Sequence, residues 1–453
     1  MSKTIAAIAT ALGEASIGIV RISGDEAIAV AQKVFKSASG KALAEVQGYS
    51  ALFGYVEAQG QRIDEAVALV FLAPKSYTGE NVVELSVHGG SFVVRKVLRA
   101  VLEAGAFLAE RGEFTRRAFE NGKMSLNEAE SVMDIISADG EQSLRASVLA
   151  KSGVLSQKCN AIKDRLAFAA ATVAAFSDFP DEEPEFSGID KLESMLSESK
   201  AELQRLLDTY DTGRMIRHGV NTVIVGPPNA GKSTLMNLLS GYERSIVTPI
   251  AGTTRDIVEE TVNLDGLVLK LSDTAGLRNA ADEVEQIGVK LARERIDSAD
   301  LIIAVVDSSD TENSEIKQIF EVLKGRSAVF VYNKSDICTA DKSLAEKQGL
   351  KFVEMSAKDG SGLAEFKSIV KEITKTDNLS GSADVFLNER QRDCVVRTLQ
   401  NVNETLSSLQ MGMTLDAVGV LLDDALAALL ELTGERVTVE VMNKVFEHFC
   451  VGK

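Results

Sequence analysis

The chain has 453 residues, 45% hydrophobic and 25% charged, with a net charge of −17. That length and composition suit a globular protein with several cores, and the acidity excludes a strongly basic nucleic-acid-binding domain, leaving any RNA partner to a local basic patch. No apolar run reaches the ~18 residues of a membrane span. The opening MSKTIAAIATALGEASIGIVRISG lacks a long apolar core and a cleavage-like site, so no secretory signal is expected. The cysteines at 159, 338, 394 and 450 have no ligand-like spacing, which argues against structural zinc and for reduced thiols in a cytoplasmic protein.

Residues 1–118 read as an α+β domain. GIVRISG, YSALFGYVEA, DEAVALVFLA and NVVELSVHG have the β-branched content and alternation of strands, and SFVVRKVLRAVLEAG reads as an amphipathic helix closed by Gly105. Long helices are expected from GEFTRRAF onward, then an acidic loop DFPDEEPEFSG and a further helix running to Gly219, with residues 119–216 as the first part of a helical domain. Residues 217–376 switch to strand–helix alternation: NTVIVG, LVLKLSD, LIIAVVD, AVFVYNK and KFVEMSA are short apolar strands of a largely parallel sheet. TDNLSGSADVFL reads as a linker, and residues 377–453 return to helix. The expected fold is therefore multidomain, α+β in front, then an all-helical domain carrying an inserted α/β phosphate-loop domain; two separate helical domains are the other reading of this pattern.

The strongest chemical signal is GPPNAGKS, Gly226–Ser233, between a strand and a helix. Its glycines let the backbone of Asn229, Ala230 and Gly231 turn amides toward phosphate, at the positive end of the helix entered by Thr234. Lys232 is expected on the β and γ phosphates and Ser233 on magnesium. DTAG follows, where Asp273 reaches magnesium through water, Thr274 and Ala275 line the site and the Gly276 amide meets the γ-phosphate. In NKSD, Asn333 and Lys334 flank the base and Asp336 accepts the paired donors of guanine, which adenine lacks. Ser356, Ala357 and Lys358 close over the base. This order points to a GTPase. Within SIVTPIAGTTRD, Thr254 is the expected magnesium ligand and Thr253 has another role. Leu277 follows DTAG where many small GTPases place a glutamine, so the water must be oriented otherwise; Arg278, Asp282, Glu283 and Glu285 are candidates, or a cation or partner that does the work of an arginine finger.

These segments resemble the bacterial and organellar tRNA uridine 5-carboxymethylaminomethyl modification GTPase family. The resemblance spans the chain through IATALGEASIGIVRISG, APKSYTGENVVELSVHGG, ERGEFTRRAFENGKMSLNEAE, GPPNAGKS, IVTPIAGTTRD, DTAGLRNAADEVEQIG, NKSD and the terminal FCVGK. It implies a homodimer formed through a folate-binding front domain, and potassium-stimulated hydrolysis of GTP. It also implies work with an FAD-dependent partner, in a heterotetramer, on C5 of the wobble uridine of certain tRNAs. A 5,10-methylene- or 5-formyl-tetrahydrofolate supplies the one-carbon unit. By the same resemblance, potassium is held by Asn229, Thr248, Ile250 and Thr253, magnesium by Ser233 and Thr254, and the attacking water by Glu285. Folate is held by Arg21, Glu80, Lys123 and Lys453. Position 227 is proline where the family commonly has arginine.

The tail FEHFCVGK ends the last helix, TVEVMNKVFEHF. Cys450 is either a helix-end thiol or a reactive one, and the resemblance favours the latter, with the tail packed on the front domain. Arg111, Arg116 and Arg117 gather in ERGEFTRRAF, either as a phosphate-contacting patch or as ion-pair partners of Glu110, Glu113 and Glu120. The rival function is a GTPase switch in ribosome or RNA maturation, which shares every nucleotide residue and predicts no folate chemistry.

Overall fold

The computed structural model describes residues 3–178, 186–242, 260–273, 295–310, 314–376 and 387–453. They divide into two compact units, 1–133 with 429–453, and 134–428.

In the first unit, β1 (Ile5–Ile8), β2 (Ile17–Ser23), β3 (Phe35–Ser37), β4 (Ser50–Ala58), β5 (Gln61–Phe71), β6 (Val82–His88) and β7 (Phe107–Leu108) form one sheet in the order β3-β4-β5-β6-β2-β1-β7. Every pairing is antiparallel except β1 with β7. The alternation seen in the sequence sorts the two faces: in β5, Ala66, Ala68 and Val70 are buried while Val67 is exposed. The buried face packs on α1 (Ala27–Val34) and α2 (Ser91–Glu103), where Val20, Ile22 and Leu85 meet Val30, Val94 and Val97. On the other face, α3 (Glu113–Glu120) places Phe114 over Ile5 and Ala7, with Tyr77 alongside. The last helix, Val439–Glu447, joins a cluster with α4 (Leu126–Ile136) through Leu126, Ala129, Val132, Phe446 and Phe449. Thr438 caps that helix by accepting the Val441 amide at 3.3 Å.

In the second unit, the predicted long helices are shorter than the apolar spacing suggests: α5 (Glu141–Lys151) and α6 (Val154–Asp178) part at Gly153, whose φ is +81°, and α7 (Phe186–Asp208) and α8 (Tyr210–His218) part at Thr209. The helix Glu389–Gln410 opens on a reciprocal cap, Asn388 Oδ1 accepting from Gln391 N at 2.8 Å and Gln391 Oε1 from Asn388 N at 3.0 Å. It packs on α7, which also packs on α6, so the helical stretches before and after the α/β region share contacts.

Between them lies a six-stranded sheet of order β13-β12-β11-β8-β10-β9. It contains β8 (Val220–Val225), β9 (Glu260–Leu264), β10 (Leu267–Asp273), β11 (Leu301–Asp307), β12 (Ala328–Asn333) and β13 (Lys351–Glu354). All pairs are parallel except the β9–β10 hairpin. In β11, Leu301, Ile303 and Val305 face one cluster, with Leu235, Leu239 and Phe366, while Ile302, Ala304 and Val306 face the other, with Ile316 and Phe320. Burial on both faces is why this strand reads as a continuous apolar run. The fold is thus multidomain, α+β and α/β. Among the described residues no helix is long and apolar enough to cross a membrane.

Cys159 and Cys394 are buried in the helical core, and burial pushes the Cys159 thiol up to about 12, whereas Cys338 and Cys450 are exposed. Titration of the native protein with an aromatic disulfide reagent at neutral pH is therefore expected to label Cys338 and Cys450 quickly and the other two only on unfolding, since the thiolate is the reacting form. Mass spectrometry of the labelled peptides checks this.

Candidate functional site

The described nucleotide residues gather at the carboxyl ends of the parallel strands, the edge where such sheets bind ligands. β8 ends at Val225 and runs into the glycine-rich turn, and α9 (Lys232–Tyr242) begins at the turn's last residues. Asn229 has φ +60°, a left-handed conformation that asparagine tolerates, and carries the turn round. Gly231 has φ +96°, and a Cβ there would lie 2.1 Å from Asn333 Nδ2. Only glycine fits. Lys232 Nζ reaches back over the loop to the carbonyls of Gly226 and Pro227, at 3.0 and 2.7 Å. The unexpected proline at 227 thus contributes a carbonyl to hold the lysine. Ser233 and Thr234 are exposed at the start of α9.

Asn333 is 2% exposed. Its Nδ2 donates to Ala230 O at 2.8 Å and its Oδ1 accepts from Ala357 N at 2.9 Å, tying the phosphate loop to the loop after β13. Its own carbonyl accepts from Ser308 N and Oγ. Lys334, at φ +65°, donates to Asp307 Oδ2 at 2.6 Å. Asp307 also accepts from Ser309 N and Oγ. Burial pushes the Asp307 carboxyl up, but the hydrogen bonds from Lys334 and Ser309 outweigh it and hold the group below the usual carboxylate range. Asp336 and Lys358 are exposed beside these loops, and Ser356 and Ala357 are buried beneath them. The strand end at Asp273 lies opposite Ile224 of β8, at the same edge. Thr248, Ile250, Thr253, Thr254, Thr274, Ala275, Gly276, Arg278, Asp282, Glu283 and Glu285 lie outside the described residues, as do the acidic loop at 179–185 and the linker at 377–386.

In the first unit the four folate candidates surround α3. Arg21 Nε donates to Glu84 Oε1 at 2.8 Å, directly across the β2–β6 register, and Arg21 Nη1 to Gly452 O at 3.2 Å. Ser23, on the same face of β2, donates to Glu80 Oε2 at 2.8 Å. Arg117 also holds Glu80, its Nη1 lying 3.2 and 3.0 Å from the two carboxylate oxygens and its Nη2 2.7 Å from Glu113 Oε1. Lys123 Nζ donates to Pro74 O at 3.0 Å, and Lys453 O accepts from Phe114 N at 3.2 Å. A cavity of about 470 Å³ opens here, lined by Glu80, Glu113, Arg116, Arg117, Phe107 and Lys3 among others, but not by Arg21, Lys123 or Lys453.

Of the arginine run, Arg116 and Arg117 form ion pairs, and Arg111 Nη1 donates to Glu447 O at 3.4 Å. Arg117 is 8% exposed, and Arg116 pairs with Glu120 at 2.8 Å and donates to Asn443. Arg117 is a buried counter-ion shared by Glu80 and Glu113. Sequence reasoning missed that role, and also missed Asp307. The signal for Asp307 was present, since LIIAVVD ends in a carboxylate at the functional edge just as LVLKLSD does. Nothing local distinguished Arg117 from its neighbours. Among the described residues no cluster of His, Cys, Asp or Glu is arranged to hold a metal ion.

A phosphate loop stapled to a guanine-type loop on a parallel sheet defines a phosphate-loop GTPase. The family profile "GTP-binding protein TrmE N-terminus" matches residues 4–123, and "MnmE helical domain" matches residues 126–450. The curated "tRNA modification GTPase MnmE" of Lachnoclostridium phytofermentans is 40% identical over 99% of each chain, and its counterpart in Clostridioides difficile 38% identical over 99% of each. That of Alkaliphilus metalliredigens is 38% identical over the full length of both. The chain belongs to the tRNA modification GTPase MnmE family.

Changing Asn333 to Ala removes both bonds of the staple and leaves Ala230 O and Ala357 N unpaired. We expect a stability loss of about 1–3 kcal/mol by denaturant titration and a roughly tenfold or greater loss of GDP affinity by fluorescent-nucleotide titration.

Proposed function

We propose that this protein hydrolyses GTP as part of adding an aminomethyl-type group to C5 of the wobble uridine of tRNA, using a tetrahydrofolate one-carbon unit and an FAD-dependent partner protein. The observation that carries the reading is the coexistence, in one chain of this family, of an assembled guanine-nucleotide edge and a cysteine-bearing tail docked on a separate α+β unit. A pure GTPase switch needs the first and has no use for the second.

In this reading, the loop amides around Ala230 and Gly231, the amino end of α9 and Lys232 bind the phosphates, and Asp336 selects guanine. The hydroxyl of Ser233 is a hard oxygen of the kind magnesium takes, with Thr254 as its second protein ligand; Asn229, Thr248, Ile250 and Thr253 supply oxygens for potassium. When bound, these cations offset charge that develops on the transferred phosphoryl group, a task otherwise given to an arginine. Glu285 orients the attacking water. In the proposed division into 1–118, 119–216, 217–376 and 377–453, these groups belong to the inserted domain.

The folate site belongs to the front domain. Glu80, fixed by Arg117 and Ser23, offers a preoriented carboxylate to the amide-and-amine edge of a pterin, and Arg21, Lys123 and Lys453 offer cations to the rest of the cofactor. Cys450 acts beside the one-carbon donor. Dimerisation uses the open face of the front sheet, where Phe53 and Val67 pair across β4 and β5 and are 51% and 39% exposed. A cytoplasmic location fits this work on tRNA.

Hydrolysis is expected to run much faster in potassium than in sodium, because the smaller ion fits the same oxygen cage poorly; equal rates in the two chlorides would remove potassium from the site. In cells lacking the protein, mass spectrometry of tRNA should show wobble uridines without the C5 group. Cys450→Ser should fail to restore it while retaining GTP hydrolysis, and full restoration by that variant would return Cys450 to a helix end.

A further inference from the structure

The tail is tied down by more than its helix. Gly112 N donates to Cys450 O at 3.4 Å, Val451 forms an antiparallel bridge with Arg111, and Phe114 N donates to Lys453 O at 3.2 Å. These bonds hook the tail onto the start of α3. On its other side it runs against the end of β1. Gly452 has φ +102°, and a Cβ there would lie 2.2 Å from Ile8 O and 3.1 Å from Ala9 Cα. The tail therefore passes through a gap that admits only a hydrogen at this position.

Arg21 brings its guanidinium to the carbonyl of the same glycine. The side chain is 16% exposed, held by Glu84 at 2.8 Å and lying 5.6 Å from the rings of Tyr77 and Phe114. Its Nη1 donates to Gly452 O at 3.2 Å. The backbone bonds of the tail are neutral, whereas this one, of similar length, is charge-assisted and comes from a group already fixed by a carboxylate. A chain end frays unless something of this kind holds it.

We propose that Arg21 is a positioning residue for Cys450. Its guanidinium, oriented by Glu84, grips the Gly452 carbonyl from one side while Gly452 fits against β1 on the other, and the two contacts fix where the Cys450 thiol stands. The significance of that thiol rests on the function proposed above; the clamp itself does not.

The test uses the full-length protein without ligand. Hydrogen exchange is followed at the amides of Gly112, Phe114 and Lys453, together with release of Lys453 by a carboxypeptidase. Arg21→Gln should speed both by about tenfold, equivalent to ~1.4 kcal/mol, with amides in the centre of β2 and β6 unchanged. Arg21→Lys keeps the charge but lacks the fork that spans Glu84 and Gly452, so it should restore only part of the protection. Gly452→Ala should displace the tail on its own, and adding Arg21→Gln to it should change nothing further. Wild-type protection of the tail in Arg21→Gln, or effects of the two changes that add, would overturn the proposal. If Arg21→Gln loosens the whole sheet, Arg21→Lys decides: full protection overturns the clamp, and tail-only loss supports it. Failure here is distinct from failure of the role of Cys450, which the modification assay of Cys450→Ser reads separately.

Discussion

The nucleotide edge depends on one buried carboxamide. Asn333 donates to the phosphate loop and accepts from the loop after β13, so the elements that read phosphate and base are set by a single side chain at the end of β12. Buried, with both ends of its amide bonded, it cannot move without leaving polar backbone unpaired. The close fit of Gly231 against it is the steric side of the same constraint. The Lys334–Asp307 pair then locks the neighbouring residue to the end of β11, the strand next to β12 in the sheet.

The first unit is built on a different principle. Its sheet buries one face under α1 and α2, and near β1 and β2 the opposite face is covered by α3 and the last residues of the chain. Charge organises that second face. Arg117 sits between Glu80 and Glu113, and Arg21 between Glu84 and the Gly452 carbonyl. Each guanidinium has a fork geometry that lets it hold two groups at once, which a lysine does not match. Glu80, the carboxylate we propose for the pterin, and the segment bearing Cys450 are therefore each held by a neighbouring arginine, in a region where the sequence shows only an ordinary mixture of charges.

Much of the fold was legible because burial leaves a pattern. LIIAVVD and AVFVYN read as strands since both faces of a parallel sheet are covered, and the alternation of DEAVALVF reads as a half-buried strand. What escaped has physical reasons too. IAAI (β1) and FL (β7) are short, and ETVNL (β9) is a polar edge strand of a hairpin, so none carries a strong apolar period. α7 and α8 merged in the sequence because the break at Thr209 has no glycine or proline to mark it.

By itself the sequence determined the chemistry of the nucleotide site. GPPNAGKS and NKSD carry their function in backbone turns and side chains only a few residues apart, and local geometry specifies them. The sequence also established the family, because many such segments recur along the whole chain. Only the tertiary structure decided which arginines are committed and to what. Arg117 to Glu80, Arg21 to Gly452 and Asn333 to Ala230 join residues separated by 37, 431 and 103 positions. A charge or an amide in a sequence does not name its partner; that is settled when the chain closes and burial makes an unpaired polar group too costly to leave.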